Sequence, residues 1–230
     1  MPNSLIQNLT KSEAKNAIYL DFEGNLNKPP TYAGTVVDAS YSGTFFEPIF
    51  ESVAKNKKLE LSTLRTFSEE IVHRAQTEKR VILAWSKHEL GLLDQLTPEI
   101  TKHYRDANKL VMKFFKEKRK PTIKNLKKQI KDKKEKGEWG SARIGLKDLL
   151  KLDYVDYNYP SHLRDFSPGT ALREVRNQLE NKKPLYKNLH PRAKKNLNDL
   201  ITYNEHDCRG MQHLIEYVFD RRPTEDSISY

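Results

Sequence analysis

Cysteine is nearly absent. Cys208 is the only one in 230 residues, so the chain has no intrachain disulfide framework and no thiolate-rich zinc site. Long apolar runs are missing too: no stretch approaches the roughly 18 consecutive apolar residues of a membrane-spanning helix. The first residues lack an apolar run followed by a small-residue cleavage site. A soluble protein of a reducing, cytoplasmic compartment is therefore expected. The length suits one domain able to bury a substantial core, and no internal repeat is visible.

In one segment, acid is what is scarce. From Lys109 to Lys136, KLVMKFFKEKRKPTIKNLKKQIKDKKEK, there are 13 Lys/Arg and 3 Asp/Glu, which leaves 28 basic and 28 acidic residues elsewhere. The whole excess of the +10 chain lies there. Its long side chains favour helix and Pro121 interrupts it, so two basic helical pieces are expected. The segment reads either as a solvated face or arm, or as a polyanion-binding arm. A membrane-surface role is disfavoured because the second piece lacks a well-formed apolar stripe.

The remainder alternates strand and helix signals. Ala17 to Phe22 reads as a buried strand, and Thr31 to Val37 and Thr44 to Phe50 as two more, with Asp38, Ser40, Ser42 and Gly43 as turn residues between them. Ser62 is a candidate cap for a helix through Leu64, Phe67, Ile71 and Val72, and Val81 to Trp85 reads as a fourth strand. Helices are expected at about 87–96, 146–152, 171–181 and 192–218, the last with a break near Asn196. The pattern predicts an α/β sheet covered by helices, its first three strands forming a meander.

Three acidic motifs fall at informative places in this pattern. Asp21 and Glu23, in YLDFEG, lie two apart at a strand end, which puts both carboxylates on one face. Two carboxylates so placed repel unless a cation or proton lies between them; otherwise they are simply an exposed strand end. Glu89, in AWSKHELGLLDQL, follows the fourth strand in the first turn of a helix. It either complements the helix dipole or projects over the strand ends. The neighbouring His88 reads as exposed or hydrogen-bonded rather than as a ligand. In TYNEHDCRGM, Tyr203 and Asp207 stand one helical turn apart, either as a packing tyrosine and a surface charge or as a pair acting on one object.

Together these motifs resemble the DEDD exonucleases, tyrosine subclass, of the ribonuclease H-like superfamily. YLDFEG resembles the first motif, AWSKHELGLL the second and TYNEHDCRGM the third. GLKDLL at Gly145 to Leu150 is similar to a segment that often precedes the third motif in predicted ribonuclease H-like nucleases. The histidine subclass would need histidine at position 202, where Thr202 stands. The resemblance implies a single ribonuclease H-like domain over residues 1–230: a three-strand antiparallel meander plus parallel strands, flanked by helices, with a basic helical insertion at about 109–138. It implies Asp21, Glu23, Glu89 and Asp207 as ligands of two Mg²⁺ or Mn²⁺ ions and Tyr203 as the residue that orients water. It also implies 3′–5′ exonuclease action on single-stranded DNA or RNA. One departure is plain: the second motif usually presents aspartate, whereas this chain has Glu89, with Asp94 five residues on.

Four carboxylates are hard oxygen donors suited to Mg²⁺ or Mn²⁺, and two such ions serve phosphodiester hydrolysis. An acidic site repels a polyanion, so basic groups elsewhere must hold it, and the 109–136 segment supplies them. Trp85, Trp139, Tyr154, Tyr157 and Tyr159 are candidate stacking surfaces or packing residues. The alternatives are a catalytically silent nucleic-acid-binding module on the same fold, for which Glu89 is the main argument, and an endonuclease on structured ends.

Overall fold

The structure is a computed structural model that describes residues 8–24, 28–136, 143–181, 184–221 and 227–229. Near its start β1 (Asn8–Thr10) runs into the short helix α1 (Lys11–Lys15), and β2 (Ile18–Glu23) follows. Side chains alternate along β2. Ile18 and Leu20 enter the core on one face and Tyr19 the core on the other, and Asp21 and Glu23 continue the Tyr19 face.

The next strands, β3 (Tyr32–Val37) and β4 (Ser40–Phe45), complete an antiparallel meander with β2. Their turn is shorter than the sequence predicts. Only Asp38 and Ala39 leave the ladder, both at positive φ, as the primed hairpin turns require. Arg80 holds Asp38 through paired hydrogen bonds of 2.9 and 2.7 Å, and Arg209 donates to Ala39 O at 3.1 Å.

The expected third strand at 44–50 is corrected to 40–45. Pro48, which cannot continue a ladder, opens a 3₁₀ turn into α2 (Glu51–Lys57). The strand β5 (Glu60–Leu61) and the helix α3 (Leu64–Thr77) follow, α3 being capped by Thr63 rather than Ser62. Next come β6 (Ile82–Ala84), α4 (Lys87–Asp94), α5 (Ile100–His103) and β7 (Tyr104–Asp106). The sheet is six-stranded and mixed, in the order β5-β4-β3-β2-β6-β7, with β2, β6 and β7 mutually parallel.

The basic segment forms α6 (Ala107–Lys118) and α7 (Lys120–Glu135), parted at Arg119 just before Pro121. It is not a free arm. Leu110, Val111, Phe114 and Phe115 of α6 are buried in the main core. α7 has an apolar stripe after all, since Ile123 and Leu126 are buried and Ile130 packs beside them. The lysines occupy the outer faces.

Three further helices, α8 (Leu146–Leu150), α9 (Pro168–Asn181) and α10 (Pro191–Asp220), lead to a last strand, β8 (Ser227–Ser229), which pairs antiparallel with β1. α10 is continuous through Asn196, where a break was expected. It lies across β2 and β3, sharing one core with Tyr19, Val36, Leu83 and α6, while α3 covers the opposite face of the sheet. Its N-terminal half packs on α9 and α2 around Tyr32, Phe45 and Phe50. Among the described residues no helix is long and apolar enough to cross a membrane.

Candidate active site

The fold carries the two ends of the chain to one point. The last residues of β2 supply Asp21 and Glu23, and the middle of α10 supplies Asp207. One oxygen from each carboxylate lies within 4.8 Å of the others. Glu23 and Asp207 are buried and Asp21 half-buried. Tyr203 stands one turn before Asp207 on α10, near enough for the Asp207 carboxylate to raise the pKa of its hydroxyl. Glu89 is buried at the first turn of α4 and accepts a hydrogen bond from Ser86 Oγ at 2.6 Å. It lies outside the three-carboxylate cluster but near enough to Asp21 to raise its pKa. Asp94 and His88 are exposed, so neither takes Glu89's place.

Several residues that sequence reasoning missed hold the carboxylates in position. Asn204 is fully buried and donates Nδ2 to Asp21 Oδ2 at 2.8 Å and to Asp21 O at 3.2 Å. Its Oδ1 accepts from Tyr41 at 3.0 Å. Because the Tyr41 proton is spent there, Tyr32 must be the donor in the 2.8 Å contact between the two tyrosines. This chain of bonds needs Gly34, the partner of Asp21 across the ladder, because a Cβ there would overlap Asn204 Oδ1.

On the other side, Tyr159 donates to Asp207 Oδ1 at 2.8 Å. Lys147 approaches Asp207 Oδ2 at 4.0 Å, with its ammonium 3.5 Å from the centre of the Tyr203 ring. Gly210 permits that approach. A Cβ there would lie 2.5 Å from Leu150 Cδ1, so α8 can sit close enough for Lys147, three residues before Leu150, to meet Asp207, three before Gly210.

Of the stacking candidates, Tyr159 is therefore a buried donor. Trp85 packs against the core, Tyr157 bonds His206 Nδ1 at 3.0 Å, and Tyr154 bonds Thr122 at 2.9 Å. Trp139 lies outside the described residues.

The electrostatics are unbalanced. Burial, then the charges of Glu23, Asp207 and Glu89, hold Asp21 well above the usual carboxylate range. Burial and the charge of Asp207 push Glu23 up to about 8. Asp207 reaches only about 6, because Lys147, Tyr159 and Tyr203 offset part of its desolvation. Burial raises the Tyr203 hydroxyl above its ordinary value, so it stays protonated and acts as a donor. A set of hard oxygen donors that cannot all be ionised alone matches the needs of a divalent cation.

A consequence follows for stability. Glu23 and Asp207 hold protons more tightly folded than unfolded, so between about pH 4 and pH 8 folding takes up protons and stability falls as pH rises. For Asp207 alone the displacement is worth on the order of 3 kcal/mol, or about 6–12 °C in Tm. Metal-free protein should melt lower at pH 8 than at pH 5, and millimolar Mn²⁺ should restore Tm at pH 8 but not at pH 5. A Tm flat across that range, checked by calorimetry, would show that burial does not hold these carboxylates above their ordinary range.

Comparison of the chain with family models, with characterised proteins and with solved structures finds no match. The geometry of the site therefore carries the functional reading.

Proposed function

We propose that the protein is a divalent-metal-dependent nuclease, a 3′–5′ exonuclease on single-stranded DNA or RNA. One observation carries this reading: Asp21, Glu23 and Asp207 converge to within 4.8 Å, one helical turn from Tyr203. The strand order supports it too, since an antiparallel meander continued by parallel strands is what the ribonuclease H-like resemblance implies.

Asp21, Glu23 and Asp207 would hold the metal, with Glu89 beside Asp21. Mg²⁺ or Mn²⁺ bound there would supply Lewis-acid activation and charge stabilisation for phosphodiester hydrolysis. The chain's own contributions are positional. Asn204 fixes the Asp21 carboxylate, and Tyr159 and Lys147 fix that of Asp207. Tyr203, as a neutral donor, orients the attacking water. A silent binding module is the second reading, favoured by the Ser86 contact that holds Glu89 outside the cluster.

The assay is purified protein with Mg²⁺ or Mn²⁺ on end-labelled single- and double-stranded DNA and RNA, with a chelator control. Stepwise shortening from the 3′ end is expected. Internal cuts would make the enzyme an endonuclease, and no metal-dependent cleavage of any substrate would leave the silent module. Tyr203→Phe should slow single-turnover cleavage by roughly 10²–10⁴-fold, as for a positioned proton-handling group, with Tm unaltered. An unaltered rate would reduce Tyr203 to a packing residue.

A further inference from the structure

Four of the 13 basic residues of the 109–136 segment line one groove. Between α6 and α7 lies this groove of about 700 Å³, lined by five basic side chains and one acidic one, Glu117. Lys109, Lys113 and Lys116 come from α6 and Lys127 from α7, and Met112, Ile130 and Ile144 supply apolar surface. Lys109, Lys113 and Lys116 share one face of α6, rising about 6 and 4.5 Å from one to the next, a spacing that successive phosphates of an extended strand can follow.

The N-terminal end of α6, which begins the groove, lies at the same end of the sheet as the carboxylates. Leu20, Ala84 and Asp106 stand in one row across the parallel strands β2, β6 and β7, so at about 4.8 Å per strand Asp106 lies roughly 10 Å from Leu20. Asp21 follows Leu20 directly. Asp106 caps α6 by accepting from Lys109 N at 2.9 Å, and Lys87 opens α4 two residues before Glu89, beyond the end of the neighbouring strand β6. Lys87 and Lys109 thus bridge the carboxylate site and the groove.

We propose that the α6–α7 groove binds the uncleaved part of the single-stranded nucleic acid whose end occupies the carboxylate site, with phosphates along Lys109, Lys113 and Lys116 and bases against Met112 and Ile130. This rests on the nuclease reading for the identity of the occupant. Charge complementarity selects a polyanion. The adjoining carboxylate site, together with the apolar surface of the groove, selects a nucleic acid over an acidic peptide.

The test is fluorescence anisotropy with an oligothymidylate of about 12 nucleotides, within the roughly 4–16 that such grooves cover, in EDTA so that binding is read without hydrolysis. The triple variant Lys113→Glu, Lys116→Glu, Lys127→Glu should bind about 10²-fold more weakly. Its slope of log affinity against log salt should be shallower by about 2, at about 0.7 per lost contact. A charge-matched control, Lys118→Glu, Lys128→Glu, Lys133→Glu, changes exposed lysines that do not line the groove and should lose at least about tenfold less, because only direct phosphate contacts release bound counterions. Hydrolysis of a thymidine dinucleotide with Mg²⁺, whose single phosphate lies at the carboxylates and leaves none for the three altered lysines, should be equal in all three proteins.

Equal losses in the two triple variants would overturn the groove and leave only diffuse charge attraction. Displacement of the oligonucleotide by an equal concentration of polyglutamate would overturn the nucleic acid in favour of an acidic protein partner. Groove-dependent binding without metal-dependent cleavage would sink the nuclease reading and leave the groove standing. Metal-dependent cleavage of the long oligonucleotide, unaffected by the groove variant, would do the reverse.

Discussion

Asp21→Asn should abolish metal-dependent hydrolysis and, in the same protein, raise the melting temperature of the metal-free form. Asp21 is the most crowded of the acids, facing Glu23, Asp207 and Glu89 at once. The amide keeps its shape and can still accept from Asn204 Nδ2, but it removes one negative charge from the donor set. Metal-ion stabilisation of the transition state is worth several kcal/mol, so the rate should fall by about 10³-fold or more. The same loss of charge relieves the repulsion at neutral pH, and a gain of a few degrees in Tm is expected, as when a strained functional site is neutralised. Single-turnover cleavage and calorimetry at pH 8, each with and without Mn²⁺, read both effects. An active Asp21→Asn protein would remove Asp21 from the site, and a lowered Tm would show that its carboxylate is structurally required instead.

The second large effect is expected at a residue with no chemistry of its own. Glycine inside a strand weakens it, so where there is room alanine stabilises by roughly 0.5–1 kcal/mol. At Gly34 the sign reverses. The added Cβ would overlap Asn204 Oδ1 and come within 2.7 Å of the Tyr41 ring, and both groups are tied into the bonds that reach Asp21. Gly34→Ala should therefore cost about 1–3 kcal/mol through overpacking. It should also weaken Mn²⁺ binding by about 10–100-fold, the usual consequence of disturbing the groups that orient a ligand. Gly91→Ala, on α4 with open space around its Cβ position, is the contrasting case and should stabilise slightly. Tm and a Mn²⁺ titration of the two variants decide the matter. A Gly34→Ala protein that binds Mn²⁺ like the parent would show that Asn204 does not control Asp21.

The mixed α/β sheet covered by helices was legible because strand and helix periods alternate along the chain. The placement of Asp21, Glu23 and Asp207 on defined faces was legible from spacing, two apart on a strand and one turn from a tyrosine on a helix, whereas their reading as ligands came only from the family resemblance. Residues that act through tertiary neighbours left no such mark. Asn204 looks like any helical asparagine until Gly34 opens a seat for it, and Lys147 looks solvated until Gly210 admits α8. Gly43 and Ser42 carried turn chemistry yet lie in β4, where a Cβ at Gly43 would overlap the Tyr32 hydroxyl. Packing overrode propensity there, and the third strand was displaced by four residues at its start. β7 has only three residues, too few for a period to be seen.

The unbroken helix α10 has a consequence in time. Asp21 and Asp207 are separated by 186 positions (207 minus 21), so at about 5–20 residues per second a ribosome needs roughly 10–40 s between making the first and the last of the three acids. During that interval the nascent chain carries the strand-end pair without its third member, and no amount of local folding can complete the set. A fragment ending anywhere before Asp207 lacks the third acid for the same reason. The three-carboxylate cluster therefore cannot form until the helix that closes the core has been made, and a break in α10 before Asp207 should prevent it from forming.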